Sequence, residues 1–232
     1  MRIAVVTSLG IVNSVYRALP LRELQRAGTE VLVDDEGTAM VEGRLRGFDV
    51  VHVFRYHERE TRRAIRALRE GGTAIVWDND DDFSGPNKLR SQQIHSQLVE
   101  MLQLAHVVTT TSSVLAEQYR GWGAGEVHVV ENYLPDYYAA ERPPHTDGLL
   151  IGWTAAGEHA YDLKHLRIRE TLERLLAAHP EVRVASAGLQ LNLPPDRYTY
   201  TEVVQYQQLA RYVGAFDVGI APIADIPFNR AK

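Results

Sequence analysis

Short apolar runs alternate with amphipathic segments through the first 130 residues, and this alternation restricts the fold more than any other feature of the chain. Such alternation predicts an α/β fold with a parallel sheet, helices on both faces and right-handed crossovers. The predicted strands are 3–7, 30–33, 49–54, 74–77, 107–110 and 126–130. The predicted helices are 15–27, with Ser14 as N-cap and Gly28 as stop, then 58–70, 87–105 and one capped by Ser112 or Ser113.

The alternation stops and then restarts. Residues 131–148 hold three prolines and no periodicity, which is typical of a linker. We therefore predict two Rossmann-like parallel-sheet domains, 1–135 and 149–232, joined by a linker at 136–148. The second domain offers about four strands where a doubly wound sheet usually has about six, so we expect it to be incomplete. Its predicted strands are 149–153, 182–187, 198–203 and 216–221, and its predicted helices are 162–178 and 205–213.

Composition excludes several classes of function. The 232-residue chain has a net charge of −5 and a pI near 6.0, so no global basic field favours nucleic acid. It has no cysteine, which excludes disulfides and thiolate sites and agrees with a cytoplasmic location. No apolar run is long enough to cross a bilayer, but this does not exclude a protein that acts at the inner membrane face.

Carboxylates follow the fourth predicted strand directly. Asp78, Asp80, Asp81 and Asp82 lie within five positions, and the carboxyl end of a strand is where an open α/β sheet places its site. Asp80 and Asp81 are candidates for binding a hydroxyl-rich ligand or for general-base catalysis. The Asp78-x-Asp80 spacing also suits a hard cation. The alternative to both is a solvated acidic turn that caps the next helix.

Four further segments, taken in chain order, carry a resemblance to a known family. The first two are Val76-Trp77-Asp78-Asn79-Asp80-Asp81-Asp82 and Val129-Val130-Glu131-Asn132-Tyr133-Leu134. The third is Ile151-Gly152-Trp153-Thr154-Ala155-Ala156-Gly157-Glu158-His159 with Asp162. The fourth is Phe216-Asp217-Val218-Gly219-Ile220-Ala221-Pro222, followed by Asp225, Pro227-Phe228-Asn229 and Lys232. Together they resemble the twin-domain (GT-B) glycosyltransferases, within the group that includes the retaining family 4 enzymes.

The resemblance implies an enzyme that moves a sugar from a UDP- or GDP-linked donor to an acceptor hydroxyl, with retention, in surface polysaccharide, glycolipid or glycan synthesis. It implies no obligatory metal or other cofactor, and an acceptor that is a glycan, a lipid or a protein. Asp80 and Asp81 are then the catalytic candidates. The donor-binding candidates are Gly10, Gly152, Trp153, Thr154, His159, Asp225, Asn229 and Lys232.

The donor-side candidates also have a physical interpretation. Gly152 and Gly157 let the backbone approach a phosphate, and Lys232 supplies a charge for the diphosphate. Trp153 either stacks on a base or sugar, or belongs to the core. His159 either contacts the donor or is a capping, solvated residue.

One departure leaves alternatives open. The family's glutamate beyond Lys232 is absent from this sequence, as is its C-terminal crossing helix, so we expect a truncated chain of reduced activity. The alternatives are a sugar-nucleotide epimerase of the same fold, and an inactive binding module that self-associates through its exposed sheet edge. Peripheral contact with a membrane also remains open. No G-x-G-x-x-G follows the first strand, so a dehydrogenase is disfavoured.

Overall fold

The computed structural model describes residues 1–10, 13–83, 88–132, 134, 136–139, 148–202, 204 and 206–231. These residues form α/β architecture with two parallel sheets, one of six strands and one of four, which confirms the predicted fold class. Contacts between Cα atoms divide the chain into two compact units, Met1–Tyr133 with Arg230–Lys232, and Leu134–Asn229. Within the predicted linker a 3-10 helix spans Asp136–Ala139, and residues 140–147 lie outside the described part of the chain.

The first unit contains the six-stranded sheet, in the order β2-β1-β3-β4-β5-β6, with all neighbouring pairs parallel. Its strands are β1 (Arg2–Thr7), β2 (Glu30–Asp35), β3 (Val50–Phe54), β4 (Ala74–Asn79), β5 (Val107–Thr110) and β6 (Glu126–Val129). Its helices are α1 (Asn13–Arg17), a 3-10 helix (Leu19–Ala27), α2 (Thr38–Val41), α3 (Arg59–Glu70), α4 (Lys88–Leu104) and α5 (Ser113–Gly121).

Alternation along each strand sends side chains to two cores, one on each face of this sheet. The larger core contains Val6, Val53 and Trp77, packed against side chains of α3, α4 and α5. The smaller core contains Val5 and Phe54 beneath the 3-10 helix.

The first helix differs from its prediction. Ser14 lies inside α1 rather than at the N-cap, where its hydroxyl donates to the Ser8 carbonyl at 2.6 Å. The chain then continues as a 3-10 helix with Pro20 in its first turn, because proline has no N–H to carry on the α-helical ladder. Gly28 ends this segment in the left-handed conformation, as predicted.

The second unit contains the four-stranded sheet, in the order β10-β7-β8-β9, again with parallel neighbours. Its strands are β7 (Leu149–Thr154), β8 (Val182–Ala187), β9 (Tyr198–Thr201) and β10 (Val218–Gly219). Its helical segments are a 3-10 turn (Gly157–His159), α6 (Ala160–His165), α7 (Ile168–Ala178) and α8 (Tyr206–Gly214), followed by α9 (Pro227–Arg230) at the end of the unit.

Two predictions for this unit were wrong in extent. The single helix predicted at 162–178 is two helices, because Arg167 adopts a left-handed backbone with φ of 51° between them. The strand predicted at 216–221 shrinks to the two residues of β10.

A buried ion pair joins α1 to the centre of the first sheet. Arg17 donates from Nε to Asp78 Oδ2 at 3.0 Å and also binds Oδ1, while both side chains are 3% exposed or less. Arg17 further donates to the Val130 carbonyl beyond β6, and the Thr109 hydroxyl of β5 donates to Asp78 Oδ1 at 2.7 Å. One guanidinium therefore connects α1 to β4, to β5 through Asp78, and to the end of β6.

Replacing Arg17 with methionine should strongly destabilise the protein, because it leaves the Asp78 carboxylate buried and unpaired. We expect a loss of about 3–5 kcal/mol in the free energy of unfolding, measured by urea denaturation. The matched control is Arg26→Met, since Arg26 pairs with Glu23 on the surface with 83% of its side chain exposed. That variant should lose no more than about 1 kcal/mol. Equal losses in the two variants would contradict the importance of the buried pair.

Candidate functional site

Each sheet has a position where the strand order reverses. In the first sheet it lies between β1 and β3, because the chain moves from β1 to β2 on one side and from β3 to β6 on the other. In the second sheet it lies between β7 and β10. Open α/β sheets bind ligands at the carboxyl ends of the strands at such reversals. Each unit therefore has one place where its topology favours a site, and both places carry networks of polar side chains.

In the first unit, Asp80 is the centre of this network. Its side chain is 2% exposed, and its Oδ1 accepts from Nε of Arg55 at 2.6 Å. Its Oδ2 accepts from the Asn13 side-chain amide. Each oxygen of Asp80 therefore has a donor, one from α1 and one from the residue that follows β3.

Two residues near this network have backbones in the left-handed region, which is uncommon for residues with a side chain. Arg55 has φ of 68° directly after β3, and Glu36 has φ of 59° directly after β2. Glu36 accepts from the Ser8 hydroxyl and, at 3.1 Å, from the Tyr56 hydroxyl. Burial and the nearby Glu36 carboxylate raise the pKa of Tyr56, which keeps this phenol protonated. Strained backbones of this kind cluster at functional sites.

The other predicted residues of the first unit lie near this network. Asp81 is more open than Asp80, with 21% of its side chain exposed and one oxygen 3.8 Å from the Arg55 guanidinium. Gly10 lies exposed in the turn after β1, where a Cβ would only touch the Ser8 hydroxyl at 3.7 Å. The catalytic roles of Asp80 and Asp81 and the donor role of Gly10 remain predictions.

Asp78 belongs to a different environment from Asp80, although the sequence suggested one shared cation site. Asp78 binds Arg17 and Asp80 binds Arg55, so each carboxylate already faces its own guanidinium. Among the described residues, no cluster of three His, Asp or Glu side chains is arranged to hold a metal ion.

In the second unit, Asp162 organises the reversal between β7 and β10. It is 2% exposed, and its Oδ1 accepts from the Ala224 N–H and the Asn229 amide, both at 2.8 Å. Its Oδ2 lies 2.8 Å from Nδ1 of His159. His159 follows β7, and Ala224 follows β10, so this carboxylate holds together the loops on the two sides of the reversal.

Opposing effects act on the pKa of Asp162. Burial raises this pKa. The hydrogen bonds from Ala224, His159 and Asn229 lower it, and so does the positive charge of a protonated His159. The lowering effects are the larger, so the pKa of Asp162 lies below the ordinary value of 3.8. The side chain is therefore an ionised carboxylate at neutral pH.

The remaining residues predicted on β7 have different surroundings. Gly152 is buried within the strand, and a Cβ there would lie 2.1 Å from the Phe216 ring. Trp153 is 3% exposed and lies in the core, which was one of the two alternatives predicted for it. Its ring lies edge-on to the His159 ring, with 6.4 Å between the ring centroids. Thr154 is exposed at the carboxyl end of the strand. Their contact with a donor remains a prediction.

The last three candidates lie near the end of the chain. Asn229 is buried in α9 and donates to Asp162 and, at 2.8 Å, to the Ala224 carbonyl. Asp225 is exposed in the loop before α9. Lys232 lies outside the described residues. The structure thus brings His159 and Asn229 together on one carboxylate.

Several residues of these networks were not assigned a role by the sequence. Arg17, Arg55 and Asn13 come from segments far from the acidic run in the chain, and nothing in their spacing links them to it. Asp162 did carry a signal, because it follows His159 by three residues, which places the two side chains on one face of a helical turn.

Comparison with known proteins identifies the class of fold. A scan against protein-family models finds no match, and a search of the curated proteins finds none. Among solved structures, the UDP-GlcNAc 2-epimerase from Methanocaldococcus jannaschii matches with a TM-score of 0.60 and 10% identity, over 94% of this chain and 78% of that chain. An S. aureus MnaA–UDP co-structure matches with a TM-score of 0.59 and 11% identity, over 94% and 73%.

Spinosyn rhamnosyltransferase SpnG complexed with thymidine diphosphate covers 94% of this chain and 74% of its own, at 16% identity. Its TM-score is 0.47. At these identities the likeness establishes the fold alone. The chain has the GT-B type of fold, two Rossmann-like parallel-sheet domains of which the second is smaller.

His52, next to the buried ion pair, should make stability depend on pH. Burial lowers the pKa of His52 below 6.5, against a smaller raising effect of Asp78. Below pH 6.5 the unfolded chain therefore binds a proton at His52 that the native protein does not bind. The free energy of unfolding then falls as the pH falls. Between pH 7 and 5.5, the free energy of unfolding of wild type should therefore fall relative to that of His52→Leu. The fall should be up to about 1.4 kcal/mol per pH unit.

Urea unfolding at several pH values measures this difference for His52→Leu. The same comparison with His128→Gln gives the effect of an exposed histidine, since 55% of the His128 side chain is exposed. A pH-independent difference for His52→Leu would show that burial does not perturb this histidine.

Replacing Gly152 with alanine tests whether the Phe216 ring fills the space beside this glycine. We expect Gly152→Ala to cost about 1–3 kcal/mol of stability, because the new methyl group overlaps the Phe216 ring. Combined with Phe216→Ala, the loss should be smaller than the sum of the two single losses. Gly157→Ala is the matched control, since a Cβ at Gly157 meets nothing within 4 Å. Additive losses in the double variant would contradict the packing explanation.

Proposed function

We propose that this protein is an enzyme acting on nucleotide-sugars, with the donor held by the second unit. The observation that carries the proposal is the cluster of His159, Asp162 and Asn229 at the reversal between β7 and β10. Ligands of open α/β sheets bind at this position. The cluster joins His159 and Asn229, two residues that the resemblance to GT-B glycosyltransferases had assigned to the donor.

The chemistry of a nucleotide-sugar suits the groups at this reversal. Its sugar offers hydroxyls, which need hydrogen-bond acceptors and donors, and its pyrophosphate needs donors or cations. His159 and the exposed Thr154 supply polar side chains at the carboxyl end of β7. In our proposal Lys232 serves the pyrophosphate, and Gly10, Asp225 and Trp153 remain supporting candidates. No metal ion is required.

The preferred reaction is transfer of the sugar to an acceptor hydroxyl, with the configuration retained as in family 4. This preference rests on the four sequence segments and on Asp80 and Asp81 in the first unit. A carboxylate within hydrogen-bond reach of a hydroxyl can orient it or take its proton. Asp81 is the better placed of the two for proton transfer, because 21% of its side chain is exposed and only 2% of the Asp80 side chain is exposed.

Epimerisation of a UDP-sugar is a second candidate. The UDP-GlcNAc 2-epimerase from M. jannaschii shares the fold with a TM-score of 0.60, and the S. aureus MnaA structure contains UDP. This reaction needs no acceptor, so the two candidates differ in their products. Fold likeness does not choose between them.

The partners follow from the reaction. A transferase acts on a glycan, lipid or protein acceptor besides the UDP- or GDP-linked donor, and no nucleic acid is expected. Among the described residues, no helix has the length and apolar character that crossing a membrane requires. Cytoplasmic action, peripheral contact with the inner membrane face and self-association through a sheet edge remain proposals.

Incubation with UDP- and GDP-linked hexoses and N-acetylhexosamines tests the function, with products followed by proton and phosphorus NMR. Release of UDP or GDP that depends on an added acceptor supports transfer, and a new epimer without nucleotide release supports epimerisation. Asp81→Asn should lower turnover by about 100-fold while donor binding persists. The exposed Glu23→Gln is the control. The proposal fails if calorimetry detects no binding of any of these nucleotide-sugars at millimolar concentration.

A further inference from the structure

The three donors on Asp162 come from three separate segments, which suggests a role beyond local packing. His159 lies in the turn after β7, Ala224 lies in the loop after β10, and Asn229 lies in α9. We propose that Asp162 is a positioning residue that holds His159 as the Nδ1–H tautomer, so that its Nε2 accepts a hydrogen bond from a sugar hydroxyl of the donor. This inference rests on the proposed function and names the group that the site recognises.

The tautomer follows from the chemistry of the pair. An ionised carboxylate can only accept hydrogen bonds, so Nδ1 of His159, 2.8 Å away, must carry the proton. The low pKa of Asp162 supports this ionised state. In neutral imidazole the second nitrogen then bears a lone pair, and which nitrogen does so is decided by the partner of the other. A carboxylate orients a histidine in the same way in serine proteases.

The carboxylate cannot turn away from His159. Its Oδ1 is held by the Ala224 N–H and by the Asn229 amide, each at 2.8 Å. Asn229 is itself fixed, because its two N–H bonds go to Asp162 and to the Ala224 carbonyl, both of which are acceptors. The amide can therefore lie only one way round, and Oδ2 of Asp162 stays directed at His159.

The free side of the histidine is accessible. The His159 side chain is 18% exposed, and the described part of the chain offers Nε2 no hydrogen-bond partner. The buried Trp153 ring meets the imidazole edge-on and limits its rotation. A neutral Nε2 accepts and does not donate, so it suits a hydroxyl and does not suit a phosphate oxygen. The sugar, rather than the pyrophosphate, is the group it recognises.

The competing explanation is that the pair only fixes the first turn of α6. In that case the tautomer would be the same, but no ligand would touch Nε2, and UDP and a UDP-sugar would act alike on it. The comparison of these two ligands therefore separates a positioning role from a merely structural one.

Nitrogen-15 NMR of the histidine-labelled protein at neutral pH tests the inference, with the His159 signals assigned by their loss in His159→Gln. Wild type should show a protonated Nδ1 and an unprotonated Nε2. Saturating UDP-glucose should shift the Nε2 signal, and UDP, which lacks the hexose, should leave it nearly unchanged. The two ligands are compared on the wild-type protein, and a variant is used only to assign the signals.

Asp162→Asn extends the test. Its side-chain oxygen should stay with Ala224 and Asn229, so its NH₂ group faces His159 and the tautomer reverses to Nε2–H. The KM of this variant for the nucleotide-sugar should rise by about 10-fold, with kcat changed far less, because Nε2 no longer offers the lone pair that accepts from the sugar hydroxyl. Asp217→Asn is the matched control, because Asp217 is also partly buried and accepts the Leu150 N–H at 2.7 Å. It should leave the His159 tautomer unchanged.

The outcomes distinguish the two proposals. An Nε2–H tautomer in wild type, or UDP-glucose that binds without moving the Nε2 signal beyond the effect of UDP, overturns the inference alone. If no nucleotide-sugar binds, the titration itself shows it, and the proposed function falls together with the recognition of the hydroxyl. The expected tautomer with a selective shift by UDP-glucose supports both.

Discussion

The Arg17–Asp78 ion pair is the interaction on which the first unit depends. Strand alternation sends Trp77 into the larger core and Asp78 to the opposite face, where a lone carboxylate would be costly to bury. Arg17 neutralises it and binds the Val130 carbonyl as well. The pair thereby fixes α1 over the sheet. Asn13, at the start of the same helix, is then in place to bind Asp80.

The two units use a carboxylate in the same way at the strand-order reversal. Asp80 connects Asn13 and Arg55, which follow β1 and β3, and Asp162 connects His159 and Ala224, which follow β7 and β10. In both cases an occupied carboxylate holds the flanking loops. The groups for which we propose a role, Asp81 and His159, are neighbours of these carboxylates.

Much of the fold could be predicted because buried parallel strands are continuous apolar runs, and each predicted run overlaps an observed strand. Helix continuity was harder to predict. The helix expected at 162–178 is broken at Arg167, which has a left-handed backbone. The periodicity of the sequence does not predict this conformation. Of the predicted site residues, Asp80, His159 and Asn229 lie in polar networks at strand reversals, and their roles stay predictions. The cations and the amide that occupy Asp78 and Asp80 were missed.

The sequence by itself determined the α/β class, the strands and their carboxyl-end polar residues, because these depend on periodicity and on neighbours along the chain. Only the tertiary structure decided which charges meet. Arg17 and Asp78 are 61 residues apart in the chain, and Asp162 and Ala224 are 62 residues apart. Local sequence patterns do not predict pairings over such separations. They arise because parallel strands bring distant loops to one edge, where a carboxylate needs donors once water is excluded.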